Sequence, residues 1–185
     1  MSFALANIID EEFITNPDVY FVFLLRKPQD TIISFYLKHS IMEEDFSEWL
    51  GYKPSYDIFQ KIIANSSKKP LILFSEELSS SPESTIKKFC EYVQIPFLEE
   101  SLTWKSLDEE ADLYVLWHET KKKDAVTHWH GNAINSRRFT PLTTYEVDQH
   151  GFPTFGEVQN PSDREKIFTI YEEILPYYQF FQLQR

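Results

Sequence analysis

The chain has 185 residues, 42% apolar and 16% aromatic, with a formal net charge of -11. These values exclude a disordered chain and argue against a broad nucleic-acid-binding surface, which needs basic residues in excess. A single cysteine, Cys90, excludes an intramolecular disulfide and a cysteine-based zinc site. The length suits one domain, residues 1 to 185, with a sizeable core. No basic leader precedes the acidic residues that arrive by Asp10, and no apolar run approaches the ~20 residues of a membrane span. The expected compartment is the cytosol, and neither a membrane nor a nucleic acid is an expected partner.

Residues 1 to 16 predict a short helical or irregular opening. The apolar run Val19 to Leu25 is rich in Val and aromatics and too short for a buried helix, so Tyr20–Leu25 is a predicted core strand. Arg26 follows it at once. Pro28 suits a first helical turn, and Gln29–His39 is a predicted amphipathic helix with Ile32, Phe35, Tyr36 and His39 on its inner face. Ser34 falls on another face, with Asp30 one turn before and Lys38 one turn after. A helix around Glu43–Leu50 should end at Gly51. Another is expected over Ser55–Asn65, with Ile58, Phe59, Ile62 and Ile63 as its apolar stripe.

After the turn Lys68-Lys69-Pro70, Leu71–Phe74 is a second predicted buried strand. Ser81 is a good N-cap and Pro82 a good first-turn residue for the next helix. Its inner face is Ile86, Phe89, Cys90 and Val93, and Pro96 stops it. Strand then helix, twice, is the pattern of a parallel α/β sheet flanked by helices. Leu113–Trp117 suits a strand or a helix. Lys121 to Pro161 carries most turn residues. A last helix should begin at Ser162, with Ser162 and Glu165 as a capping box. It buries Ile167, Ile170, Tyr171 and Ile174, and Pro176 ends or kinks it.

In an open α/β sheet, ligands bind beyond the carboxyl ends of the strands. There, a guanidinium and a hydroxyl suit a phosphate. Arg26 and Ser34, with Pro28 and Asp30 between them and Phe35 and Tyr36 after, resemble the 3′-phosphate-binding segment of the sulfotransferases. The resemblance implies a P-loop sulfotransferase-like fold. It also implies that Arg26 and Ser34 bind the 3′-phosphate of the donor substrate, phosphoadenosine phosphosulfate. Lys68 to Phe97 resembles the family's strand, acidic turn and helix, with Glu76-Glu77-Leu78 as the turn and Ser75 where many relatives have a tyrosine against the adenine. Asn135-Ser136-Arg137-Arg138-Phe139 resembles a late segment whose serine and basic residues lie near the same phosphate, without its usual Arg-Lys-Gly form. This brings Arg137 and Arg138 in as further donor-binding candidates.

The family's glycine-containing phosphate loop has no counterpart. Gly51, Gly131, Gly151 and Gly156 are the only glycines, and none is followed by Lys, Arg, Ser or Thr. Met1-Ser2-Phe3-Ala4-Leu5 is similar to the middle of a family segment, so the resemblance runs from Met1 to about Val158. The family's first strand, loop and first helix are then expected to be lost or encoded elsewhere, leaving an N-terminally truncated domain. The implied activity is sulfuryl transfer to a hydroxyl or amine, weak or absent in this chain alone. The alternative is a non-catalytic remnant or binding module of the same fold. An uncovered Tyr20–Leu25 edge would favour self-association or a covering partner.

Three other groups are on view. His118, His128 and His130, near Glu119 and Asp124, contain ligand types for a divalent metal, but no HExxH spacing, and surface histidines are the simpler account. No metal is expected. Lys121-Lys122-Lys123 reads as a solvated loop. Trp104, Trp117 and Trp129 suit an apolar acceptor pocket or plain core packing.

Overall fold

In the computed structural model, the described residues are 10–39, 46–106, 131, 135–150 and 152–185. They form a mixed α/β structure with seven α-helices and a two-stranded parallel sheet packed against helices. In chain order these are α1 (Glu11–Thr15), β1 (Val22–Leu25), α2 (Pro28–His39), α3 (Phe46–Leu50) and α4 (Tyr52–Asn65). Then come β2 (Leu71–Phe74), α5 (Ser75–Ser80), α6 (Pro82–Val93) and α7 (Pro161–Leu183). Two compact units are present. One runs up to Ser75 and resumes at Thr143, and the other is Glu76–Leu142.

The sheet belongs to the first unit. Val22 pairs with Leu71 and Leu25 with Phe74, in parallel register. The Leu71 amide donates to the Phe21 carbonyl. In a parallel ladder alternate residues turn their backbone groups the same way. Phe21, Phe23 and Leu25 therefore face β2, and Val22 and Leu24 face the other edge. Side chains alternate in step. Phe23, Leu25, Ile72 and Phe74 share one face and enter the main core with Ile32, Phe59, Ile167, Ile174, Tyr178 and Phe181. On the opposite face Leu71 and Leu73 are buried, but Leu24 is 55% exposed. The expected core strand is thus shorter than Tyr20–Leu25 and open at Leu24. Among the described residues β2 is its only partner, so its second edge lacks the neighbour that buries a central strand.

Helix α7 is the spine of this unit. Ile167, Tyr171, Ile174, Tyr178 and Phe181 are buried along it, a spacing that keeps one stripe facing inward. It packs against α2, α3 and α4. The contact is largely aromatic. The Phe59 ring lies 5.3 Å from Phe181 and 5.5 Å from Phe23, both edge-on. Phe74 meets Tyr178 at 5.6 Å in the same way. Such edge-on pairs add to the burial energy of the rings. A smaller cluster of Ile14, Phe21 and Ile62 joins α1 to α4 and the start of β1.

Several sequence expectations need correcting at the level of single residues. The cap of α7 is Asn160, whose side chain accepts from the Ser162 amide, so Ser162 lies inside the helix. Pro176 does not end it, and burial continues to Phe181. Helix α4 starts at Tyr52, ahead of the expected Ser55. Gly51, at φ 77°, takes a left-handed conformation that an L side chain resists, which lets α3 end and α4 begin at once. Ile63 is 47% exposed, outside the stripe assigned to it. Asp30 is only 2% exposed, where the helical wheel suggested a polar face.

In the second unit, Glu76-Glu77-Leu78 is part of α5, not a turn. Ser81 caps α6 with no side-chain bond. Its carbonyl instead accepts from the Thr85 amide and hydroxyl. The helix ends at Val93 on the left-handed Gln94, before Pro96. Thr85 and Cys90 are its buried residues, with Ile86, Phe89 and Val93 partly covered. Ser79 donates to the Thr140 carbonyl and accepts from the Leu142 amide, fastening residues 140 to 142 to α5.

Candidate functional site

Arg26 follows directly on the C-terminal end of β1, and Pro28 opens α2 two residues later. Pro28 is fully buried and lacks an amide hydrogen, so the first turn sets its direction without an orphan donor there. Lys27 starts the helical bonding, with its carbonyl accepting from the Thr31 amide and hydroxyl. Arg26 is half-buried. Its Nη2 donates to the Thr143 carbonyl at 2.9 Å. Its Nε is buried and has no acceptor among the described residues.

Ser34 lies on α2, half-buried, beside the fully buried Ile33 and one turn after Asp30. At 1.5 Å per residue it stands about 9 Å along the axis from Pro28. Both residues belong to the first unit, Arg26 at the strand end and Ser34 in the helix that follows, as the sequence suggested. The arrangement can present one fixed positive charge and one hydroxyl beyond a strand end.

A third member of this site carries no signal in the sequence. Tyr52, the first residue of α4, is 4% exposed, and its hydroxyl donates to the Arg26 carbonyl at 2.7 Å. The same oxygen lies 2.9 Å from the Thr31 hydroxyl. This bond ties the strand end and the first turn of α2 to a helix that begins well downstream. Only a helix start placed at Tyr52, not Ser55, would have hinted at it.

Arg137 and Arg138 lie in the second unit and are exposed. The Arg137 carbonyl accepts from the Trp104 amide at 3.0 Å, and Arg138 forms an antiparallel bridge with Thr103. Backbone pairing thus fixes this segment, and the Trp104 and Phe139 rings meet edge-on at 5.1 Å. His118, His128, His130, Lys121-Lys122-Lys123, Leu113–Trp117 and Trp129 lie outside the described residues. Among the described residues no group of His, Cys, Asp and Glu could hold a metal ion, and no helix is long and apolar enough to cross a membrane. Comparison with protein-family models, curated proteins and solved structures found no match for this chain.

Proposed function

We propose that this chain is a sulfotransferase-type protein that binds the 3′-phosphate of phosphoadenosine phosphosulfate, or of its product adenosine 3′,5′-bisphosphate, through Arg26 and Ser34. The observation that carries the reading is the connection itself. A guanidinium stands at the end of a parallel strand and a hydroxyl on the helix that follows, where α/β sheets bind anions. In the reaction, the acceptor's oxygen or nitrogen would attack sulfur. The bond from sulfur to the 5′-phosphate oxygen would break, adenosine 3′,5′-bisphosphate would leave, and the acceptor's proton would pass to a base. Arg26 and Ser34 would hold the non-reacting end of the donor, which contributes by position and not by bond making.

A second reading is a non-catalytic binding module of the same ancestry. Two observations favour it. No glycine of the chain is followed by the basic or hydroxyl residue of a phosphate loop. One Arg26 nitrogen already serves the Thr143 carbonyl. The missing loop would supply most of the charge stabilisation at the transferring group.

Calorimetric titration of adenosine 3′,5′-bisphosphate tests the site. An arginine–phosphate bond is worth roughly 1.5–3 kcal/mol, so Arg26→Ala should weaken binding by about 10- to 100-fold. Equal affinity in wild type and variant would remove Arg26 from the site. A radiolabelled-sulfate transfer assay separates the two readings. Turnover is expected only when a strand-loop-helix segment with a basic loop is supplied. Among the described residues β2 is the one strand beside β1, which further suggests pairing with a second copy. Sedimentation at rising concentration should show association in wild type and less in Leu24→Lys.

A further inference from the structure

We propose that Tyr52 is a positioning residue that gives the Arg26 site its preference for a ribose 3′-phosphate. The proposal rests on the nucleotide reading above. Only Arg26 and Lys27 separate the end of β1 from Pro28. The Lys27 carbonyl is bound within the helix by Thr31. The Arg26 carbonyl lies outside that ladder, and the Tyr52 hydroxyl takes it at 2.7 Å. Loss of this bond would free the Arg26 backbone, from which the arginine side chain springs.

Arg26 is therefore held at both ends by segments remote in sequence. Tyr52 fixes its backbone and the Thr143 carbonyl fixes its head group. The Tyr52 ring is buried and packs edge-on to Tyr178 at 6.4 Å. A phenylalanine would fill the same space, so packing alone asks for no hydroxyl here. The hydroxyl meets both Arg26 and Thr31, which flank the strand-to-helix connection from both sides. Gly51 makes the placement possible, since its left-handed turn lets α4 start at Tyr52.

The test compares two nucleotides that differ only in the 3′-phosphate. Adenosine 3′,5′-bisphosphate and adenosine 5′-monophosphate are titrated into wild type, Tyr52→Phe and Tyr36→Phe. Tyr52→Phe is expected to weaken the bisphosphate about five- to tenfold and to leave the monophosphate within about twofold. Tyr36→Phe, which loses a hydroxyl on α2 away from Arg26, should change neither. Equal losses for both nucleotides would mean a structural role, and no loss would mean no role. Either outcome overturns the proposal. Wild type without preference for the bisphosphate would sink the nucleotide reading and this one together, whereas a preference kept in Tyr52→Phe sinks this one alone. If Tyr52→Phe does not fold, Thr31→Val decides. It removes a neighbour of the same hydroxyl and should lower the bisphosphate preference about two- to threefold, and an unchanged preference overturns the proposal.

Discussion

The Tyr36 hydroxyl donates to Asp163 at 2.7 Å and so joins α2 to the first turn of α7. That bond, with burial and the carboxylate's charge, raises the phenol's pKa above the ordinary tyrosine range. A proton held more tightly in the folded state stabilises it below the unfolded pKa, and the benefit is lost as pH rises through the folded value. Wild type should therefore exceed Tyr36→Phe in urea stability at pH 8, and the gap should close as pH passes about 10. A gap independent of pH would show that the bond contributes nothing. Tyr171 is raised as well, by desolvation, but it is present in both proteins and cancels. At this scale the candidate site was only partly legible. Arg26 stood out because an apolar run stops at a charge, a contrast any strand end displays. Tyr52 did not, because its bond to Arg26 spans 26 residues and depends on the tertiary fold. Thr143 is more remote still, 117 residues from Arg26.

Among the elements, α7 dominates the first unit. Phe181 is fully buried and contacts Phe23 and Phe59, so Phe181→Ala should cost about 3–5 kcal/mol in chemical denaturation. A loss under 1 kcal/mol would mean that α7 is not the spine it looks to be. Pro176 sits exposed inside the same helix, where it lacks the amide hydrogen of a regular turn. Pro176→Ala should stabilise by about 1–3 kcal/mol, and a destabilised variant would show that packing uses the irregularity. The sequence suggested an end or a kink at Pro176 because local propensity disfavours it, and tertiary packing of Tyr178 and Phe181 carries the helix past it. β2 was legible to the residue, since four apolar residues between a turn and a polar run leave little choice. Asp30 was not, because periodicity cannot reveal that a carboxylate is buried. Leu24 was misjudged for a related reason: an apolar run carries no mark of whether a strand has one neighbour or two.

For the whole molecule, the net charge of -11 is the leading electrostatic fact. The ion pairs Lys53–Asp57 and Lys87–Glu83 are exposed and offset little of it. Self-repulsion should yield to screening, as the Debye length falls from about 30 Å at 0.01 M salt to about 8 Å at 0.15 M. A melting temperature higher by about 2–4 °C is expected over that range. Nucleotide binding at Arg26 should weaken over the same range, and a common sign for both effects would contradict the electrostatic account. The discontinuity of the first unit has a consequence for synthesis in the cell. Its early part ends at Ser75, and the helix that fills its core closes only at Leu183. At 5–20 residues per second, a ribosome needs roughly 5–20 s to span that interval. During that time β1, β2, α2 and α4 have emerged without the helix that buries them. Nascent chains arrested before Pro161 should accordingly be cut rapidly by protease and held by chaperones, whereas chains released after Leu183 should resist.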